Sequence, residues 1–459
     1  MRKAPGPDGI PTWLLHDFPG YLAPPIAAIF NSSIREGSLP SLWKSATVCP
    51  IPKVNPPKTI EKDLRPISLT CILSKELETH PVEWLWKILL PHMDPFQFGA
   101  MAKISTVHAL VEMCHDWYKM TDNSTKKNFI HAVLIDYSKA FDRIHPNILI
   151  KKIMKFDIPP FLLHWVADFL FNRQQQVKIG NFMSSKLAIW GTVPQGTKLG
   201  VLLFLLMIND LRTDVPTFKY VDDTTLYRIS NKPQDTALQA AVNHVVSWSS
   251  ENHMRLNASK TKEMFISFSK PPPPVPLITV SGAPLDRVDC VTLLGVKLSS
   301  NLTWNNHIEH IIKKSQSKLY FLNLLRRSKV APKDIIQIFQ SRIRPILEYA
   351  APVWHGGLTQ ELSDNMEDLQ KRACKIALPD MSYEEALTHL SLKPLDERRR
   401  DLCKGLFDKM KNTDDKLHKL LPTPNVIGGT RNFNEYPLPK CHTNRYKNSF
   451  LPYVLFNCQ

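Results

Sequence analysis

Short apolar runs alternate with amphipathic stretches along most of this chain, and the two periodicities predict its elements. Residues 132–135 form an apolar run of the kind a buried strand makes, and residues 138–144 open a helical pattern. Two β-prone runs, Phe218-Lys-Tyr-Val and Thr224-Thr-Leu-Tyr227, flank the acids Asp222 and Asp223, which predicts a hairpin with both acids at its turn. Residues 201–208 are apolar throughout and read as a helix buried behind a Gly-rich loop. Further on, 291–298 reads as a short strand and 304–325 as a long helix. In that helix Ile308, Ile311, Ile312, Leu319 and Leu322 recur at three- and four-residue steps. From Pro332 to about Met410 the pattern stays helical. Residues 1–66, punctuated by Pro5, Pro7, Pro11, Pro50, Pro52, Pro56, Pro57 and Pro66, predict loops and hairpins packed on a larger body. The run Ser269-Lys-Pro-Pro-Pro-Pro-Val-Pro276 predicts a stiff connector. The fold class is α/β (α+β).

Composition narrows the class. With 459 residues, 43% apolar and 22% charged, the chain is globular, with length for about three domains. Lys and Arg outnumber Asp and Glu by 58 to 42, a net charge of +16, which favours a polyanionic partner, nucleic acid before membrane. The apolar run at 201–208 is far short of the ~20 residues that cross a bilayer. No secretory signal opens the sequence, and the eight cysteines contain no Cys-x-x-Cys pair. Both features predict an intracellular protein with reduced thiols.

The chemistry begins with carboxylates. Asp136 sits where strand gives way to helix, a place where an N-cap is the ordinary role. Asp222 and Asp223 sit at a turn, where Asp is also ordinary. Taken together they predict more. Three carboxylates brought to one spot repel by ~4 kcal/mol per pair at about 4 Å, so they take up protons or a cation. All-oxygen ligands select Mg²⁺, with Mn²⁺ a substitute, and two such ions can carry an in-line phosphoryl displacement. That leaves nucleotidyl transfer and nuclease chemistry. Between the acids, Gly191-Thr-Val-Pro-Gln195-Gly196 forms a turn whose backbone can approach a ligand closely, though a loop before a core helix is the default. His310, Lys314 and Lys318, followed by Arg326 and Arg327, line one side of the long helix, either as a solvated face or as a nucleic-acid contact.

In this order the segments resemble the reverse transcriptases of non-LTR (LINE-type) retrotransposons, jockey-like or chicken-repeat-like. The resemblance rests on Lys3-Ala-Pro-Gly-Pro-Asp-Gly-Ile-Pro11, Leu64-Arg-Pro-Ile-Ser-Leu69 and Ile135-Asp-Tyr-Ser-Lys-Ala-Phe-Asp142. It continues through Val193-Pro-Gln-Gly-Thr197, Tyr220-Val-Asp-Asp223, Asn257-Ala-Ser-Lys-Thr261, Leu294-Gly-Val296 and Arg344-Pro-Ile-Leu-Glu-Tyr349. It implies a right-hand polymerase with fingers over 1–125 and a palm over 126–270. After the connector at 271–276 would come a primer grip, thumb and helical region over 277–410, then an irregular basic tail over 411–459. Asp136, Asp222 and Asp223 would be the catalytic, metal-binding carboxylates, and Lys260 a proton donor to leaving pyrophosphate. Arg65 and Lys53 would meet the triphosphate, while Gln195 and Gly196 would touch nucleotide and template. Phe141, five residues after Asp136, would exclude a 2′-hydroxyl, and 291–298 would be the primer grip. Implied partners are an RNA template, a DNA primer or target and deoxynucleoside triphosphates, in nucleus and cytoplasm, with no membrane.

The sequence departs from the family at Ile104, where an arginine is usual, and at Val201, where a proline is common. It starts almost at the first polymerase motif, so target-site cleavage is expected to come from elsewhere or not to happen. The alternative is a decayed or host-adopted protein of the same fold that binds RNA without polymerising.

Overall fold

A computed structural model describes residues 5–122, 127–189, 193, 196–425 and 434–458, the side chains of residues 61 and 62 excepted. The chain forms two units. One comprises residues to Ala100, Asp136–Asp214 and Ala241–Asn257; the other comprises Met101–Ile135, Val215–Ala240 and Ala258–Gln459.

The first unit is organised by the helix Lys198–Ile208, whose residues from Leu199 to Ile208 are buried except Val201. An all-apolar helix of this kind has to be covered on every side. Its ends are satisfied by buried polar groups. Thr197 caps it by accepting from the Gly200 amide at 3.2 Å, and the Glu78 carboxylate accepts from the Leu199 amide at 3.1 Å. At the other end Lys152 Nζ donates to the Met207 carbonyl at 2.7 Å and to Asp210 at 2.6 Å. The Lys152 cation at the last turn complements the helix dipole, while burial pushes the pKa of the Glu78 carboxyl up. Beside this helix, Ser45–Pro52 pairs antiparallel with Leu64–Leu69 and parallel with Arg173–Ile179. The expected N-terminal hairpin is therefore present. The expected loops around it are replaced in part by an eighteen-residue helix, Pro19–Glu36, which includes Pro24 and Pro25. A proline inside a helix removes an amide donor. The helix is secured instead by packing on Pro160–Leu170, where Trp165 donates to Ser33 Oγ at 3.1 Å.

In the second unit a five-stranded sheet runs in the order Asp286–Arg287, Lys262–Ile266, Phe129–Ile135, Asp223–Ser230, Thr217–Tyr220. Phe129–Ile135, with neighbours on both edges, is buried at every position, which is why its sequence lacks the alternation of a half-exposed strand. Its one titratable residue, His131, faces Glu263 at 2.8 Å on the adjacent strand. Glu263 also accepts from the Ile278 amide at 2.8 Å and from Arg287 Nε at 2.6 Å. The helix Thr106–Met120 is tied to the sheet by the Tyr227 hydroxyl, which donates to Asp116 at 2.7 Å.

The predicted long helix spans Asn305–Arg327, with Ile308, Ile311, Leu319 and Leu322 buried. Several expectations need correction. The single strand at 291–298 is a hairpin, Cys290–Leu293 with Val296–Ser299, because Leu294 and Gly295 both adopt positive φ and reverse the chain. The pattern at 138–144 yields only a helical turn, Phe141–Arg143, with the full helix starting at Pro146. The tail is not irregular throughout: beyond residue 433 it forms Asn444–Lys447 and the buried helix Phe450–Asn457. It is fastened by the Asp122 carboxylate, which accepts from the His442 and Thr443 amides at 2.8 Å each, and by Arg445, stacked 3.4 Å over the Phe268 ring. No helix among the described residues is long and apolar enough to cross a membrane.

Burial alone would raise the pKa of Glu263, but the bonds from His131, the Ile278 amide and Arg287 hold it below its ordinary 4.5. A depressed folded value stabilises above the unfolded value and is lost as pH falls through the folded one. Glu263→Gln should therefore cost about 1–3 kcal/mol in urea unfolding at neutral pH. The deficit should shrink as the pH is taken below 4.5. A gap that does not change with pH would contradict this.

Candidate active site

One end of the five-stranded sheet gathers residues that lie far apart in sequence. Ile135 closes the central strand opposite Thr224, and on its other side Leu134 pairs with Lys262. Asp222 and Asp223 immediately precede Thr224, and Lys260 lies two residues before Lys262, exposed in the turn that leads to its strand. Asp136 is the next residue after Ile135. It does not cap the following helical turn, which starts at Phe141 with Ala140 in the N-cap position. The backbone around it is pinned within the first unit, since the Asp136 carbonyl accepts from the Asn257 amide at 2.8 Å and the Ser138 amide donates to the Arg255 carbonyl at 2.8 Å.

The turn that carries the two acids is tight. Tyr220 and Asp223 are the last paired residues, so only Val221 and Asp222 connect the strands. Val221 has a φ of 58°. That conformation suits glycine and strains a β-branched residue, at a cost on the order of 1–3 kcal/mol. It presents Asp222 half-buried and Asp223 exposed. Nothing in the sequence pattern marks Val221, because a valine before acids looks like ordinary strand.

The residues expected to meet the nucleotide lie in the first unit. Arg65 pairs with Ile51 on the exposed edge of the N-terminal hairpin, and Lys53 follows the adjacent pair Pro52–Leu64, so both cations share one hairpin end. Gly196, at φ 105°, lies against the same strand: a Cβ there would come within 3.5 Å of the Ser68 carbonyl. Thr197, the next residue, caps the apolar helix, so the glycine turn and the helix are one construction. Phe141 is half-buried and stacked on Phe204 of that helix, with ring centroids 4.6 Å apart. Gln195 lies outside the described residues. In the second unit, Lys314, Arg326 and Arg327 are exposed on the long helix and Lys318 is half-exposed.

Among the described residues, no group of three or more His, Cys, Asp and Glu side chains is gathered so as to hold a metal ion. Asp222 and Asp223 offer adjacent all-oxygen donors, the chemistry a hard divalent cation takes.

If Val221 is strained, Val221→Gly should leave unfolding stability unchanged or raised, although Val→Gly in an ordinary strand costs about 1 kcal/mol or more. A loss of that size by thermal or urea unfolding would show that the turn is relaxed.

Residues 51–298 match a family described as reverse transcriptase (RNA-dependent DNA polymerase). The chain is similar to the RNA-directed DNA polymerase from mobile element jockey of Drosophila melanogaster, 27% identical over 77% of this chain and 40% of that protein. It is also similar to the probable RNA-directed DNA polymerase from transposon BS of the same species, 26% identical over 83% and 43%. It thus spans about two fifths of the length of these relatives. A solved apo telomerase from Candida tropicalis covers 57% of this chain and 54% of its own at 13% identity, but its TM-score of 0.38 is too low to carry an argument. With more than half of its length inside the family match, the chain belongs to the reverse transcriptase (RNA-dependent DNA polymerase) family.

Proposed function

We propose that this chain copies RNA into DNA as part of retrotransposition, using Asp136, Asp222 and Asp223 as its catalytic carboxylates. The observation that carries the reading is the register of the central strand. Ile135 beside Thr224, and Leu134 beside Lys262, bring the segment ends that precede or follow the three acids and Lys260 to one edge of one sheet. The fingers over 1–125, palm over 126–270 and thumb within 277–410 are the corresponding division. Substrates are an RNA template, a DNA primer or target end and deoxynucleoside triphosphates.

In the reaction the primer 3′-hydroxyl oxygen bonds to the α-phosphorus, the bond from that phosphorus to the β-phosphate oxygen breaks, and pyrophosphate leaves. The three carboxylates would hold divalent cations, Mg²⁺ with Mn²⁺ a substitute, which when bound neutralise charge on the transferring phosphoryl group and lower the pKa of the attacking hydroxyl. Lys260 supplies a proton to the departing pyrophosphate. Arg65 and Lys53, on one exposed hairpin end, bind the triphosphate oxygens. The Gly196 backbone approaches the base pair closely, and Gln195 contacts nucleotide and template. Phe141 turns an edge to the sugar while its face rests on Phe204, so a buried partner fixes the ring that excludes a 2′-hydroxyl. The hairpin at Leu294–Gly295 grips the primer, and Lys314, Lys318, Arg326 and Arg327 contact phosphates, an attraction that salt weakens steeply.

The test is primer extension with purified protein, an RNA template, a DNA primer, Mg²⁺ and deoxynucleotides. Extension is expected, and Asp222→Asn should reduce it by a factor on the order of 10³ or more. Removing one of two neighbouring like charges should leave the metal-free fold as stable as before or more so. Cleavage without extension would mean a nuclease, binding alone would mean a decayed or host-adopted protein, and loss of fold together with activity would make the hairpin merely structural.

Phe141→Ala should lower discrimination against ribonucleotides roughly tenfold or more in the same assay. Unchanged discrimination would leave the ring a packing residue on Phe204.

A further inference from the structure

The segment Arg344-Pro-Ile-Leu-Glu-Tyr349 has no role in the chemistry above, yet its last residue makes an unusual set of contacts. The Tyr349 hydroxyl donates to the Leu294 carbonyl at 2.8 Å, at the turn of the Cys290–Ser299 hairpin. The same oxygen lies 2.9 Å from the Thr106 hydroxyl, in the first turn of the helix Thr106–Met120. Its ring lies against Gly295, where a Cβ would come within 3.0 Å of Tyr349 Cε1. Gly295 therefore meets two demands that only glycine satisfies, a φ of 82° and contact with a ring. The Tyr349 backbone is itself held: the Trp354 indole donates to its carbonyl at 3.0 Å, and Ala350 follows at a φ of 54°.

The place held is significant. Leu293 and Leu294 line one small pocket with Ala109, Lys219, Tyr220 and Asp223, so the hairpin tip and the acidic turn share a wall. Beyond the hairpin's own pairing, which ends at Leu293 with Val296, the tip is held by Tyr349, whose hydroxyl also meets Thr106 of the 106–120 helix.

We propose that Tyr349 is a positioning residue: through its hydroxyl it latches the Leu294–Gly295 tip to Thr106 and so fixes where a primer end rests relative to Asp223. The inference rests on the polymerase reading for the word primer, and on geometry alone for the latch. Tyr349→Phe keeps the ring on Gly295 and removes only the hydroxyl. In the full chain it should raise amide hydrogen exchange across 291–298 roughly fivefold or more, the equivalent of one net hydrogen bond, with little change in Tm. In primer extension it should raise KM for primer–template several-fold while leaving KM for nucleotide within about twofold. Thr106→Val should act in the same direction, and the double variant should be no worse than Tyr349→Phe, because both remove one device. Unchanged exchange at 291–298 would overturn the latch. So would a Tyr349→Phe protein whose nucleotide KM and Tm move as far as its primer KM, since that is a general structural loss. If the unaltered protein binds primer–template but never extends it, the polymerase reading falls, and the exchange measurement still decides the latch.

Discussion

Antiparallel pairing of the buried strand Phe129–Ile135 with a neighbour on each side is the constraint on which the rest of the site depends. Side chains alternate along a strand, so a slip of one residue would turn every side chain to the opposite face. Here slippage is opposed by burial at all seven positions and by a polar lock, His131 with Glu263 and Arg287, that closes in only one register. With the register fixed, Ile135 and Thr224, the sequence neighbours of Asp136 and Asp223, are paired at one end of the sheet. The apolar strand and its buried hydrogen bonds hold the polar edge in place.

A similar division of labour recurs in the first unit. Lys198–Ile208 has almost no polar surface, and its end groups are met by Glu78, between two helices, and by Lys152 from another helix. A helix fixed at both ends can carry a glycine turn at its start and a stacked aromatic on its flank without either wandering. Gly196 lies just before its cap and Phe141 is stacked on its flank.

Much of this was legible in the residues. Period-two and apolar runs gave the strands at 132–135 and 217–227, the buried helix at 201–208 and the long helix after 304, because burial selects apolar side chains wherever it acts. What remained illegible depended on backbone conformation or on distant partners. Leu294 and Gly295 turn a seemingly continuous strand into a hairpin through their φ angles, and Val221 adopts a conformation that its side chain argues against. The helix Pro19–Glu36 replaces part of the loops expected over 1–66, although Pro24 and Pro25 lie inside it. The helices after residue 443 are short, and the segment that leads into them is secured by Asp122, more than three hundred positions upstream. No local pattern encodes such a partner. The role given to Tyr349 is of the same kind, since its neighbours Leu294 and Thr106 come from two other segments.

The most direct measurement maps the proposed ion site itself. With Fe²⁺ replacing Mg²⁺ in the purified chain, ascorbate and peroxide generate hydroxyl radicals that cut backbone only close to the bound ion. The account predicts cuts in two places at once, next to residue 136 and in the 221–223 turn, both suppressed by excess Mg²⁺. Cutting confined to one of these segments, or to neither, would contradict a shared site.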